Sequence, residues 1–161
     1  HEVRLSHKVD YGIRVMCALA EIAAEGDARP TSSGALAEAK DIPPGFLDDI
    51  LRILRNGGLV RSVRGSEGGW MLARSAEAIT VADIIRVIDG PLATVRGLRP
   101  DEMASYGEHE PFISLWVAVR VALRSVLERV TVADLAAGRL PDEVQALVDV
   151  PDAWEPRRRG S

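Results

Sequence analysis

Leu47, Ile50, Leu51 and Leu54 stand at i, i+3, i+4 and i+7, directly after Pro43-Pro44 and just before Gly57-Gly58. That spacing lays four large apolar side chains along one face of a helix. Proline is tolerated at a helix's first position, where its missing N–H has no partner to lose, and glycine ends helices readily. The stretch therefore predicts a short amphipathic helix opening near Pro44. Upstream, Ser32 or Ser33 caps another short helix over about Gly34 to Lys40, with Leu36 and Ala37 facing inward. Asp41-Ile42-Pro43-Pro44 is the turn between them. Two short helices on a three- or four-residue turn make a helix-turn-helix.

The segment after the second helix narrows the fold class. Leu59 to Val63 alternates as a strand does, Arg64-Gly65-Ser66-Glu67-Gly68-Gly69 makes a glycine-rich tip, and Trp70-Met71-Leu72 returns. A hairpin in that position is the wing of a winged helix. Ser6 caps an earlier helix to Ala24 with two apolar stripes, Val9-Ile13-Met16-Ala20-Ala23 and Tyr11-Val15-Leu19-Ile22, so this helix is sandwiched. Thr80-Val81-Ala82-Asp83 opens a helix with a capping box, carrying Ile84, Ile85, Val87 and Ile88, and Gly90-Pro91 stops it. Thr131-Val132-Ala133-Asp134 reuses the same capping device.

Leu92 to Glu110 has mixed polarity and no period, and reads as a loop. Phe112 to Val130 then reads as one long helix, in which Phe112, Leu115, Val119, Ala122 and Val126 recur at 3-4-3-4 spacing, the seam of a helix pair. Trp116, Leu123, Leu127 and Val130 give it a second apolar face. The expected architecture is mainly α: a winged helix-turn-helix domain over 4–90, a sensor loop over 91–110, a dimerisation helix with a following short helix over 111–138, and a C-terminal tail over 139–161, mobile beyond about Pro151.

Charge qualifies this reading. The 161-residue chain carries a formal charge of −4, with pI near 5.4, whereas nucleic-acid-binding domains are often basic. Locally the balance reverses: between Leu51 and Arg74 the charged residues are Arg52, Arg55, Arg61, Arg64, Glu67 and Arg74. A basic segment on an acidic protein still neutralises phosphates. No apolar run reaches the roughly 18 residues of a membrane span. His1-Glu2-Val3 carries no signal-peptide pattern, and the expectation is a cytoplasmic protein. The single cysteine, Cys17, excludes an internal disulfide and a multi-cysteine metal site within one chain, and reads as a small core residue. Catalysis is not expected. His1, His7 and His109 sit in a terminus or a loop, Cys17 is mid-helix, and Gly65 to Gly69 lacks a phosphate-loop lysine.

Several motifs together resemble a known family. Arg4-Leu5-Ser6-x-Lys8-x-Asp10-Tyr11-Gly12-Ile13-Arg14 is similar to the start of Rrf2-type regulators. Ile42-Pro43, Phe46-Leu47, Ile50-Leu51, Leu54 and Gly58-Leu59-Val60-x-Ser62-x-Arg64-Gly65-x-x-Gly68-Gly69-Trp70-x-Leu72-Ala73-Arg74 resemble that family's helix-turn-helix and wing. Ile79-Thr80-Val81-x-Asp83-Ile84-Ile85 continues the match, which runs from about Arg4 to Gly90. The resemblance implies a homodimer on double-stranded DNA, with each recognition helix in a major groove and each wing at the adjacent minor groove.

On that reading the outward face of the second helix presents Gly45, Asp49, Arg52 and Asn56, with Phe46 and Asp48 on its flanks, and Pro44 and Arg55 join them as candidate DNA contacts. Arg52 donates to guanine or phosphate, and Asp48 or Asp49 accepts from a cytosine amine or simply favours the helix N-terminus. Phe46 stands where family members often carry tyrosine, and Asp49 departs from the family's usual glutamine. Arg64 is the foremost candidate, an arginine entering a narrow minor groove, with Gly65, Gly68 and Gly69 letting backbone approach the duplex. Lys8, Tyr11, Ser33 and Arg55 are expected phosphate contacts, and Arg61 and Arg74 either join them or are solvated. The alternative is a winged-helix interaction module without DNA binding, for which the acidic pI and Asp49 speak.

The signal is less legible. Several relatives hold an iron–sulfur cluster before the long helix on three cysteines and a histidine or carboxylate, and thiolates are what such clusters need. Leu92 to Glu110 has no cysteine, and on the register of Leu115-Trp116 the ligand places fall at Ile113 and Glu110. No cofactor is expected. Non-cysteine metal ligands from Asp101, Glu108, His109, Glu110, Asp10 and His7 are the alternative that would make the regulator metal- or redox-responsive. Otherwise the effector is an unknown small molecule, with Met103, Tyr106, Phe112 and Trp116 as candidate walls, or a partner protein.

Overall fold

The computed structural model describes residues 6–26, 29–92, 98–99, 102 and 110–156. Helix α1 spans His7–Ala24, with the Ser6 hydroxyl accepting from the Val9 N–H as its cap. Helix α2 spans Ser33–Lys40, and Ser32 rather than Ser33 is its cap, accepting from the Ala35 N–H at 3.2 Å. Asp41 takes the left-handed conformation at the turn (φ 52°), and α3 runs Pro44–Asn56. Strands β1 (Val60–Val63) and β2 (Gly69–Leu72) pair antiparallel, Val60 opposite Leu72 and Val63 opposite Gly69. A 3-10 turn at Ala76–Ala78 leads to α4, Val81–Asp89. Helices α5 (Glu110–Leu127), α6 (Val132–Ala136) and α7 (Asp142–Val148) complete the described chain.

The main core is built on the stripes of α1. Val15, Met16 and Leu19 meet Leu36, Ile42, the four apolar residues of α3, Leu59, Val60, Ile79, Ile84 and Val132. A fully buried leucine in such a cluster stabilises by about 1.5–3 kcal/mol. Gly12 on α1 lets α4 lie close, since a Cβ there would collide with the end of Ile88. A smaller cluster joins Val9, Val81, Ile85, Val130 and Val144, with Val126 and Leu127 packed against it.

Two differences from the sequence reading have clear causes. The long helix ends at Leu127, because Val130 to Val132 is drawn into pairing with the start of α4. There the Val81 N–H donates to the Val130 carbonyl and the Val132 N–H to the Ile79 carbonyl, both at 2.9 Å. The two Thr-Val-Ala-Asp segments thus form capping boxes side by side, Thr80 opposite Thr131. Second, part of the stretch expected as a tail is helix α7. Its Val144 is buried in the smaller cluster, and the Trp154 indole donates to the Val148 carbonyl.

Candidate nucleic-acid interface

Helix α3 is sorted cleanly by its sequence. Leu47, Ile50, Leu51 and Leu54 are at most 1% exposed. Turned the other way, Pro44, Gly45, Phe46, Asp48, Arg52, Arg55 and Asn56 are exposed, Phe46 by 50%. A phenylalanine left that open on a helix whose apolar face is already filled is available to a partner. One edge of its ring meets Tyr11 of α1, centroids 6.1 Å apart and tilted, and Tyr11 in turn packs on the main core.

Asp49 sits differently from the free acceptor that its sequence position suggests. One carboxylate oxygen takes the Lys8 ammonium of α1 at 3.0 Å, and the other takes the Arg52 guanidinium one turn along α3. The Lys8 hydrogen bond first, then that from Arg52, holds the Asp49 carboxyl below its usual range. Three of the sequence-derived DNA-contact residues are therefore one ion cluster. Asp48 and Ser33 have no side-chain bond among the described residues, and Asp48 is exposed.

The hairpin is held to the helix-turn-helix from two sides. The Arg55 guanidinium lies over the Trp70 ring, 6.0 Å from its centroid, linking α3 to β2. Thr31, before α2, exchanges both backbone hydrogen bonds with Trp70, at 2.9 and 2.8 Å. Gly69 is required there. Its φ is +151°, and a Cβ would strike the Thr31 carbonyl. Gly68 is likewise needed inside the tip, where a Cβ would meet the Val63 carbonyl and its own N–H donates to Gly65. Of the three tip glycines expected to admit a duplex, only Gly65 (φ +115°) has open space where its Cβ would be.

Arg64, beside Gly65, is exposed and engaged by no hydrogen bond or ion pair among the described residues. Arg61 donates to the Met71 sulfur across the hairpin. Arg74 donates to the Ala78 carbonyl at 2.6 Å and lies 3.9 Å from Asp83, so it braces the chain entering α4.

Helix α5 is apolar yet poorly covered. No residue from 111 to 127 is fully buried, and Phe112 (55%), Leu115 (51%) and Val121 (54%) are open. Of the expected seam, Ala122 is exposed and Val119 and Val126 half-buried, Val126 against the smaller core cluster. Trp116 is half-buried, whereas Met103 and Tyr106, expected with it as pocket walls, lie outside the described residues, as do Asp101, Glu108 and His109. Asp10 accepts from Arg14 at 3.0 Å. Among the described residues no three histidines, cysteines or carboxylates come together as a metal site, and no helix is long and apolar enough to cross a membrane.

Comparison with known proteins gives these features a context. The profile of the Rrf2 family, described as an iron-dependent transcriptional regulator, matches residues 5–138. Rv1287 of Mycobacterium tuberculosis strain H37Rv, provisionally named an HTH-type transcriptional regulator, is 45% identical over 159 residues, which are 99% of this chain and 97% of that one. The HTH-type transcriptional regulator CymR of Bacillus subtilis is 37% identical over 135 residues, 84% of this chain and 91% of its own. Its structure, that of the global cysteine regulator of B. subtilis, superimposes with a TM-score of 0.70 over 85% of this chain and 98% of that one, at 35% identity. IscR of T. potens gives 0.67 over 84% and 88%, at 32% identity.

The iron of the family description does not fit a thiolate cluster in this chain. The one cysteine, Cys17, lies on α1, and burial pushes its thiol up from the ordinary value, away from the thiolate that ligation needs. With a matched helix-turn-helix and a hairpin locked beside it, the chain belongs to the Rrf2 family of DNA-binding proteins, whose members are transcriptional regulators rather than enzymes.

Proposed function

We propose that the chain acts in the cytoplasm as a homodimeric repressor of a palindromic operator, with α3 in the major groove and the β1–β2 hairpin at the minor groove beside it. The observation that carries this reading is the joint between the two elements. Arg55 over Trp70 joins the open face of α3 (Gly45, Phe46, Asp48, Arg52) to β2 of the hairpin whose tip carries Arg64. Phosphate contacts from Lys8, Tyr11, Ser33 and Arg55 would set register, and Arg52 with Phe46 would meet base edges and a thymine methyl.

The exposed face of α5 supports the dimer. Phe112, Leu115 and Ala122 follow the spacing of a helix pair and are left uncovered by the chain itself. Two copies joined there would place two reading heads on half-sites one helical turn apart, or a multiple of it. Repression would follow where the operator overlaps a promoter, since a dimer bound there excludes polymerase.

Selection of bound duplexes from a random pool, then footprinting and in vitro transcription, tests the reading. The expected result is an inverted repeat, protection of both halves, and less transcript. A selected site without dyad symmetry, or binding that salt does not weaken, would refute it.

A further inference from the structure

We propose that the C-terminal segment, α7 and the chain through Trp154, clasps helix α5 of a second copy, with that copy's Phe112 seated in an apolar cleft beside Val126. The proposal deepens the homodimer reading and rests on it. The cleft holds about 300 Å³ and is lined by Val126 of α5 with Val144, Leu147, Val148, Ala153 and Trp154. No charged side chain lines it among the described residues. Five of the six residues lie beyond residue 138, where the family match ends.

Trp154 is the unusual member. It is 82% exposed, yet its indole N–H is held by the Val148 carbonyl at 3.2 Å. An indole left open but fixed in direction offers a partner roughly 200 Å² of surface. The open surface continues from there. Apart from Phe46, the large apolar side chains most open among the described residues are Phe112, Leu115 and Val121 on α5, and Leu147, Val150 and Trp154 in the C-terminal segment. Val126 joins the two groups, being the last residue of the α5 seam and a wall of the cleft. A contiguous apolar surface of this kind marks an interaction site. A stable dimer buries about 800 Å² on each partner. The half-open side chains of α5 alone fall short of that, and the C-terminal segment extends the same surface with the largest side chain of the set.

Side-chain size along α5 selects a second copy as the occupant. Phe112 stands seven residues before Val119 and Val126 seven after it, with Leu115 four before and Ala122 three after. Two copies of α5 laid antiparallel about Val119 therefore set Phe112 against Val126 and Leu115 against Ala122, large against small. Laid parallel, they would crowd Phe112 on Phe112 and leave a gap between two copies of Ala122. The antiparallel pair delivers each Phe112 to the cleft of the other copy, twice by symmetry. There is room for the ring, since an apolar cavity of about 150 Å³ already takes a benzene. The receiving surface is also held in place. Val144 is buried beside Val126, and Glu143 of α7 pairs with Arg129, just past α5, at 3.3 Å.

Sedimentation equilibrium of the full chain tests the clasp, on wild type, Trp154→Ala, Phe112→Ala and the double variant. Each single change should raise the dimer Kd at least tenfold. Both side chains are open in the single chain, so helical circular dichroism should match the wild type. The double variant should raise Kd by less than the product of the two single effects, because both changes remove the same contact. Orientation has its own readout. With Cys17→Ser as background, a short bismaleimide should join two chains that carry Phe112→Cys and Ala153→Cys, and should not join chains that carry Phe112→Cys alone.

A wild-type dimer constant in Trp154→Ala, or single effects that simply multiply, overturns the clasp, whether the cleft then takes the chain's own end or a foreign helix. Cross-linking of Phe112→Cys alone would mean a parallel pair and overturns it as well. A dimeric wild type indifferent to Trp154 loses the clasp and keeps the homodimer; a wild type that stays monomeric loses the homodimer, and the clasp with it.

Discussion

Asp49 on the recognition helix holds Lys8 of α1 at 3.0 Å, and its second oxygen holds Arg52. The pair ties the two helices at the surface expected to meet DNA, and it spends two cations on an acid of the same chain. On the proposed DNA-binding mode, phosphate must compete with that acid for Lys8, which would restrain non-specific binding, while Asp49 would hold Arg52 in one direction for a base edge. Asp49→Asn should therefore raise affinity for random-sequence duplex, roughly three- to tenfold at low salt, and steepen the salt dependence by about one unit as cations are freed for phosphates. The ratio of specific to random affinity should fall. Anisotropy titrations over a salt series on both duplexes check this, and a higher specificity ratio in the variant would rule out the restraint.

The pH dependence of that cluster has a definite sign. Because Lys8 and then Arg52 depress the Asp49 carboxyl, the ion pairs stabilise the folded chain above the usual carboxylate range near pH 4 and are lost as pH falls through the lower folded value. Random-duplex affinity should therefore show no Asp49-dependent rise on lowering pH from 7 to about 4, where an ordinary aspartate is already close to half protonated. Wild type and Asp49→Asn should keep a constant ratio across that window. A ratio that closes toward one by about pH 4 would mean the carboxyl is not held down.

Arg64 is exposed, and no bond among the described residues engages it. Removing it should leave the fold within about 0.5 kcal/mol, as surface substitutions usually do. Operator affinity should nevertheless drop at least tenfold at moderate salt, with a salt slope shallower by about one phosphate contact. Binding curves at four salt concentrations beside a urea melt separate the two effects. Equal affinity would take the wing out of the interface.

Glycines of the tip divide by cause. Gly69→Ala puts a Cβ into the Thr31 carbonyl at φ +151° and should cost about 1–3 kcal/mol of stability, by loosening the bridge that ties the hairpin to α2. Gly65→Ala meets no atom, so its cost is only that of a positive φ, about 1 kcal/mol. Urea unfolding of both variants gives the order, and Gly65→Ala proving the more damaging would reverse the assignment.

The sequence made the reading head legible because its signals are local. Spacing placed Leu47 to Leu54, Thr80 and Asp83 announced a capping box, and the glycine-rich tip announced a hairpin. The Asp49–Lys8 pair was not legible, since it joins helices far apart in the chain and depends on how α1 crosses α3. Helix α7 was missed for a related reason. Prolines and acids from Pro141 onward read as a tail, and only the seat for Val144 against Val130 and Val126 makes a seven-residue helix worthwhile. The tip glycines carry a second reason that local pattern does not show: beside the duplex approach expected of them, the chain's own backbone requires Gly68 and Gly69.

The exposed face of α5 yields the sharpest test of assembly. Phe112 and Leu115 are more than half open, so replacing Leu115 by Glu removes nothing that the single chain's core depends on. In a helix pair the same change places a charge in an apolar seam, where an unpaired ion is strongly disfavoured. Leu115→Glu should therefore give a folded monomer by sedimentation, with α-helical circular dichroism retained. Operator affinity should fall at least a hundredfold, because one reading head loses the contribution of the second. Random-duplex binding per chain should change far less, since each head keeps its own cations. A variant that stays dimeric would move the interface off this face, and a monomer that keeps full operator affinity would sever dimerisation from recognition.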